Sequence, residues 1–319
     1  MHCIGVDVSK QELVTFDGAE ERTFPNVDGL EEFATYARRR RGVVIVFEPT
    51  STYSRRLETL CRREGMACCC LNPRVIPHLR EVARGRSKTD RSDAKLLYRY
   101  GVERGQAEAG GLAHDPLVQA VAAHLACYRV VQKARIAHQG VLEALQQDPS
   151  SSADLVAELR REIEALKGKE ERHVEEAGAV IAEDEAGARA LDLLLGIPGV
   201  GPITAITLLA LFRKYSDANR RQMVALAGLD PIQIQSGTSV HGKSRISKRG
   251  SGEVRKRLYE ATLSAARYNP KVQGLYRRLK EEGKPDKVAR IAAARKLLLI
   301  AHAIYQSGQP FRRSEEVGA

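Results

Sequence analysis

CIGVDVSKQELVTFDGAEERTFPN, residues 3–26, decides how the first part of this chain folds. Its three short runs, CIGVDVS, ELVTFDG and ERTFPN, are rich in branched and aromatic residues and stand at hairpin-like spacing, which predicts three consecutive antiparallel strands. Beyond them GLEEFATYARRR reads as a helix, VVIVFEP as a fully buried strand, YSRRLETLCRREG as a helix and MACCCLN as another buried strand. The order is βββαβαβ. Continuous apolar strands flanked by amphipathic helices must be covered on both faces, so a mixed sheet with a helix layer on each side is expected.

That order is the one expected of an α/β ribonuclease-H-like fold, placed here in residues 1–115. From Pro116 to about Gly187 the pattern changes to long helices. Leu155, Leu159, Ile163 and Leu166 form a narrow apolar seam along a charged rod, and QQDPSSS breaks it into a hairpin. A helical coiled-coil segment over 116–188, serving oligomerisation, is the expectation. Residues 189–310 read as a mostly α-helical third domain, and 311–319 as a disordered tail. One stretch, LLLGIPGVGPITAITLLALF (Leu193–Phe212), reaches membrane-spanning length, but Pro198, Gly199, Gly201 and Pro202 break it near its start. Two packed helices joined by a tight turn are therefore predicted, and no membrane partner.

With 319 residues and 43% hydrophobic content the chain can bury more than one core. Its net charge of +11 attracts polyanions, nucleic acid first among them. The six cysteines include Cys68, Cys69 and Cys70, without the paired CxxC or spaced histidines of a zinc knuckle. Free, buried thiols are expected, and with no signal-peptide pattern at Met1, a reducing cytoplasm, nucleoid-associated in a prokaryote.

Four acids stand where chemistry could be built. Asp7 lies near the end of the first strand, Glu48 at the end of VVIVFEP, and Asp90 and Asp93 on one side of a helix's first turn in SKTDRSDAK. Adjacent first and fourth strands would bring Asp7 and Glu48 out side by side. Crowded carboxylates repel unless a cation sits among them, and hard oxygen ligands suit Mg²⁺, as one ion or two flanking a phosphate. Each acid also has a plain structural role open to it: Asp90 as a helix cap, Asp7 as the start of the turn before Lys10. Arg86, Lys88 and Arg91 supply positive charge near the last pair. A sugar-kinase or actin-like reading of IGVD would need later glycine-rich phosphate loops, which the second half does not offer.

In the second half, IPGVGPITA is either a helix-hairpin-helix, whose Gly199 and Gly201 would expose backbone N–H groups to phosphate, or a simple tight turn. Arg213, Lys214, Arg220 and Arg221 follow it. Between Ser236 and Arg257 lie Lys243, Arg245, Lys248, Arg249, Arg255, Lys256 and Arg257, opposed by Glu253 alone, so a phosphate backbone is the expected counter-charge. Gly237 and Gly242 allow close approach of main chain. A hydroxyl among cations could attack phosphorus, with Ser236, Ser239, Ser244 and Ser247 as alternatives.

GVDVSK, FEPTSTY, NPR (Asn72–Arg74), SKTDRSDAKLL, IPGVGPITA, ALAGLDP and SGTSVHGKSRISKRG together resemble the DEDD transposases of the insertion-sequence "one-ten" family, over nearly the whole chain. That resemblance implies an N-terminal domain like the RuvC Holliday-junction resolvase, with Asp7, Glu48, Asp90 and Asp93 as the metal-binding tetrad. It implies Ser236 as nucleophile in a DNA recombinase, a structured noncoding guide RNA, DNA of the element ends and target as partners, and a homo-oligomer from dimer to tetramer. The alternative is a metal-dependent junction endonuclease that uses the acids without serine chemistry.

Overall fold

A computed structural model describes residues 2–49, 53–71, 89–108, 115–232, 235–236, 240–241 and 245–312, without the side chains of 105–108, 235–236 and 240–241. The chain divides into two compact units, Met1–Ala113 and His114–Ala319.

The first unit carries β1 (Cys3–Val8), β2 (Glu12–Phe16), β3 (Glu21–Pro25), α1 (Leu30–Arg38), β4 (Val44–Phe47), α2 (Ser54–Arg63), β5 (Ala67–Cys70) and α3 (Asp90–Glu108). The five strands form one mixed sheet in the order β3-β2-β1-β4-β5. β2 is antiparallel to β1 and to β3, whereas β4 is parallel to both β1 and β5. This arrangement is compatible with a ribonuclease-H-like domain.

Strand alternation sorts the apolar residues to two faces. Ile4, Val6, Val8, Ile45 and Phe47 pack with Phe33 and Ala34 of α1 and Leu57 and Leu60 of α2. On the other face Cys3, Val44, Val46 and Cys69 pack with Leu96, Leu97 and Tyr100 of α3. The backbone of α3 presses directly on β1: a Cβ on Gly5 would strike the Ala94 carbonyl oxygen and the Tyr98 amide nitrogen. The cysteine run is thus a strand, with Cys69 buried under α3, and all six thiols are free. Burial raises the Cys3 thiol to about 12, with Cys69 adding to the effect, so it stays protonated and inert. Cys127 departs from the expected burial and is exposed.

The second unit begins with a long helical hairpin, α4 (Pro116–Gln147) and α5 (Ala153–Ala182). Asp148 shapes its turn by accepting from the amide of Ser150 at 2.9 Å. The sequence seam is only partly covered: Ile163 is buried, but Leu155 remains 47% exposed. There follow α6 (Glu185–Leu195), α7 (Pro202–Lys214), α8 (Arg220–Leu226), short strands β6 (Pro231–Ile232), β7 (Gln235–Ser236), β8 (Val240–His241) and β9 (Arg245–Ile246), then α9 (Gly252–Tyr268), α10 (Pro270–Glu281) and α11 (Asp286–Ser307). Val121 of α4 and Ala177 and Ile181 of α5 share one core with α6, α7, α9 and α11. Helix α7 is apolar nearly all round because it is the central helix of that core, with residues from Thr204 to Phe212 buried on every side except Ala210. The long apolar run is thereby explained, and no described helix is long and apolar enough to cross a membrane.

Candidate active site and nucleic-acid interface

Parallel pairing of β1 and β4 matches Val6 with Phe47, which sets Asp7 and Glu48 at the next position of each strand line. Residues of one parity share a face, so both acids project on the side of Gly5 and Val46, toward α3. Along that face α3 runs against β1: Gly101 lies over Cys3 and Val46, and Ala94 lies over Gly5. Asp93 directly precedes Ala94, and Asp90 stands one turn before it, in the direction that leads from Cys3 past Gly5 toward Asp7. Asp93 is 8% exposed and Asp90 is open to solvent. Backbone position thus directs the four acids toward one end of the sheet, yet no three of them bring oxygens within 4.8 Å of one another. Full convergence of four carboxylates costs Coulomb energy that only a cation among them offsets. The donor set is all hard oxygen, which fits a divalent ion of the Mg²⁺ kind and not a thiolate- or imidazole-seeking metal.

One helix cap and one turn near these acids are made by other residues. Thr89 caps α3: its hydroxyl accepts from the Ser92 amide at 3.2 Å, while the Ser92 hydroxyl accepts from the Thr89 amide at 3.0 Å. This reciprocal pair does what Asp90 would do as a cap. Likewise the β1–β2 turn is held by Ser9, whose hydroxyl accepts from the amides of Gln11 and Glu12. Lys10 is exposed in that turn, whereas Arg91 and Lys95 on α3 pair with Glu21 of β3 and hold its carboxyl below the usual range, the Lys95 hydrogen bond being the main cause.

In the second unit β7 and β8 form a small hairpin in which Ser236 faces Val240, nested inside the pairing of β6 with β9. The base of this double hairpin is closely packed. Gly228, at φ +64°, and Gly250 lie so close that a Cβ on Gly228 would sit 2.7 Å from the Gly250 amide nitrogen. Ser247 donates to the carboxylate of Asp230, and Ser251 caps α9, which gives both hydroxyls structural partners. Arg245, Lys248 and Arg249 are exposed along this base, and Lys248 adopts a left-handed φ of 55° while its amide bonds Gly228. Arg86, Lys88, Lys243, Ser239, Ser244, Gly237, Gly242 and the NPR segment lie outside the described residues.

Several cations read from sequence as phosphate contacts have other partners. Arg257 is corrected outright: it is 1% exposed, pairs with Glu253 and Glu260, bonds Gln132 of α4 at 3.0 Å and stacks over Tyr128. A guanidinium closed off on every side cannot reach a nucleic-acid backbone. Arg255 donates to the carbonyls of Ala227 and Gly250, tying α9 to the end of α8. Lys256 also bonds Gln132 but stays largely exposed. Arg213 bridges Asp115 and Asp184, the caps of α4 and α6. Its hydrogen bond is the main reason the Asp184 carboxyl lies below its ordinary value. The i–4 and i+3 spacing of Glu253 and Glu260 to Arg257 was a usable sequence signal for this pairing. Gln132, far away in the chain, gave none.

The turn at IPGVG has two parts. Gly199 has φ +94°, and a Cβ there would lie 2.6 Å from the Ala265 Cα, so close packing on α9 accounts for this glycine without phosphate. Gly201 is the exposed N-cap of α7, which receives no side-chain cap.

A mixed sheet with acids toward one end, followed in the chain by a helical unit with a basic hairpin, is compatible with work on the phosphates of nucleic acid. Residues 4–116 match a DEDD-type family model described as "Transposase", and residues 191–277 match one described as "Transposase IS116/IS110/IS902 family". This chain belongs to the IS110 family of transposases. It is 28% identical to the pilin gene-inverting protein of Moraxella bovis and 27% identical to that of Moraxella lacunata, each over 97% of both chains. It is also 27% identical, over 60% of this chain and 51% of the other, to an uncharacterized 42 kDa protein of insertion element IS900 from Mycobacterium paratuberculosis. DNA is therefore a substrate, and the DEDD domain carries a dependence on divalent metal.

Proposed function

We propose that this transposase cuts and rejoins the DNA of its element by serine nucleophilic attack assisted by Mg²⁺, guided by an element-encoded RNA. Asp7, Glu48, Asp90 and Asp93 would hold the metal, one ion or two, which neutralises charge on the phosphate when bound. The observation that carries this reading is the register that sets Asp7 and Glu48 at matching positions of neighbouring strands, on the sheet covered by the helix whose first turn carries Asp90 and Asp93.

Ser236 would attack phosphorus through its Oγ. A new O–P bond forms as the bond from phosphorus to one deoxyribose oxygen breaks, the serine proton leaves and the departing hydroxyl gains one. Attack by a hydroxyl of another strand reverses the step, restores the serine and conserves the phosphodiester. Position in a hairpin whose base is closed by the approach of Gly228 to Gly250 and by the Arg255 hydrogen bond supports a nucleophile held in place. Exposed Arg245, Lys248, Arg249 and Lys256 would grip backbone, Lys10, Arg86, Lys88 and Lys243 would add to the grip, and the uncapped start of α7 at Gly201 suits a phosphate. With few base-reading groups, pairing to a structured RNA would supply sequence choice. The functional segments would be 1–115, 116–188 and 189–310, the last two built on one shared core, with dimer to tetramer assembly through the hairpin. Gene inversion, named in the relatives, would be one outcome of such an exchange.

The DEDD designation of the matched model favours a second reading, a junction endonuclease using the acids alone. Incubation of wild-type protein with Mg²⁺ and element-end DNA, followed by denaturing gels, separates the two. A covalent protein–DNA adduct lost in Ser236→Ala and in Asp93→Asn supports the serine reading. Nicking that persists in Ser236→Ala, with no adduct from wild type, overturns it in favour of the nuclease.

A further inference from the structure

We propose that His124, His173 and Glu176 form a second metal site, of the zinc type, that clasps the base of the α4–α5 hairpin. His124 stands on α4, and His173 and Glu176 stand three residues apart on α5. Their ligand atoms all lie within 4.8 Å of one another, the one such group of histidines, cysteines and acids among the described residues.

Two of the three edges of the cluster, both at the carboxylate, have the size a metal needs. His124 Nδ1 lies 3.2 Å and His173 Nδ1 3.4 Å from the same oxygen, Oε2 of Glu176. A tetrahedral Zn²⁺ with bonds of about 2.0–2.2 Å spaces neighbouring ligand atoms by about 3.3–3.5 Å. Ion pairing alone accounts less well for the arrangement. His173 Nδ1 is buried and makes no directed hydrogen bond, although a carboxylate oxygen stands close to it. Buried ring nitrogens are normally satisfied, and a metal lone-pair partner would satisfy this one.

Side-chain exposures of 27% for His124, 24% for His173 and 45% for Glu176 leave an entry path and room for water at a fourth position. Two imidazoles and one carboxylate suit Zn²⁺ and exclude Mg²⁺, which distinguishes this site from the acids of the first unit. Its place gives it a use. Val121 and Ala177, one turn from the cluster on each helix, enter the core of the second unit, so a metal here would fix the spacing of the hairpin where it leaves that core.

The test is a competitive titration of full-length, metal-stripped protein with Zn²⁺ against a chromophoric chelator, in excess Mg²⁺ to occupy oxygen sites. Wild type should hold one more equivalent of Zn²⁺ than His124→Ala, and Glu176→Gln should bind that equivalent about tenfold or more weakly. Co²⁺ in place of Zn²⁺ should give visible bands of tetrahedral nitrogen and oxygen ligation without thiolate charge transfer. Equal Zn²⁺ stoichiometry in wild type and His124→Ala, or a thiolate spectrum, overturns the proposal. Should His124→Ala fail to fold, His124→Gln and Glu176→Gln at these solvent-reached positions carry the same comparison.

Discussion

Replacing Arg257 by alanine should destabilise the second unit and leave its grip on nucleic acid unchanged. The side chain is 1% exposed and its guanidinium serves Glu253, Glu260 and Gln132 at once while stacking 4.8 Å over Tyr128. Removing one partner of a buried ion pair costs about 3–5 kcal/mol. Glu253 and Glu260 are 20% and 43% exposed, so water can recover part of their solvation and the lower end, about 3 kcal/mol, applies. For a unit of this size that is a fall in Tm of about 6–12 °C. Arg257→Met keeps most of the buried stem and should recover much of the loss. Circular dichroism melts read the stability, and DNA binding across a salt series reads the contacts. Each phosphate contact contributes a slope of about −0.9 in log K against log salt. Arg249→Ala, at an exposed position, should lower the slope by about one such unit, and Arg257→Met should not. A wild-type Tm for Arg257→Ala, with a reduced salt slope, would refute the assignment of Arg257 to the interior.

Other consequences follow from the same geometry. Gly199→Ala meets both a left-handed φ and the Ala265 backbone, so it should cost about 1–2 kcal/mol in conformation and about 1–3 kcal/mol in overpacking, read by urea unfolding; an unchanged midpoint would contradict the packing. Thr89→Ala removes the α3 cap at a cost of about 1 kcal/mol and should weaken Mn²⁺ binding by loosening the turn that carries Asp90 and Asp93. Equal Mn²⁺ affinity in the variant would separate the cap from the acids. His302 is 4% exposed beside Phe212, and burial first, then Arg220, lowers its pKa. A lowered folded value means that the stability from a neutral imidazole is fully present above about pH 6.5 and is lost as pH falls through the folded value. Tm should therefore drop on acidification below about pH 6.5, and His302→Gln should flatten that part of the curve; an equally steep curve in the variant would remove His302 as its cause.

The first unit was legible in the sequence because its strands announce themselves. CIGVDVS, ELVTF and VVIVF are short branched runs bounded by turn residues, and once their order is known the pairing of β1 with β4 puts Asp7 and Glu48 on one face. The helical hairpin was equally plain from its charged seam and the QQDPSSS break. The basic segment is less legible. Charge counted along the chain treats every cation alike, yet Arg257 turns inward and Arg255 braces a loop, while Arg245, Lys248 and Arg249 face water.

The sequence by itself determined which elements form, which acids stand at strand ends and that the chain carries excess positive charge, since these depend on local periodicity and composition. Tertiary structure decided which groups remain available. Partners such as Gln132 for Arg257, Asp115 and Asp184 for Arg213, and Ala265 for Gly199 come from distant parts of the chain, and proximity of that kind has no local signature. The same holds for His124, His173 and Glu176, which became neighbours only when α4 folded back along α5.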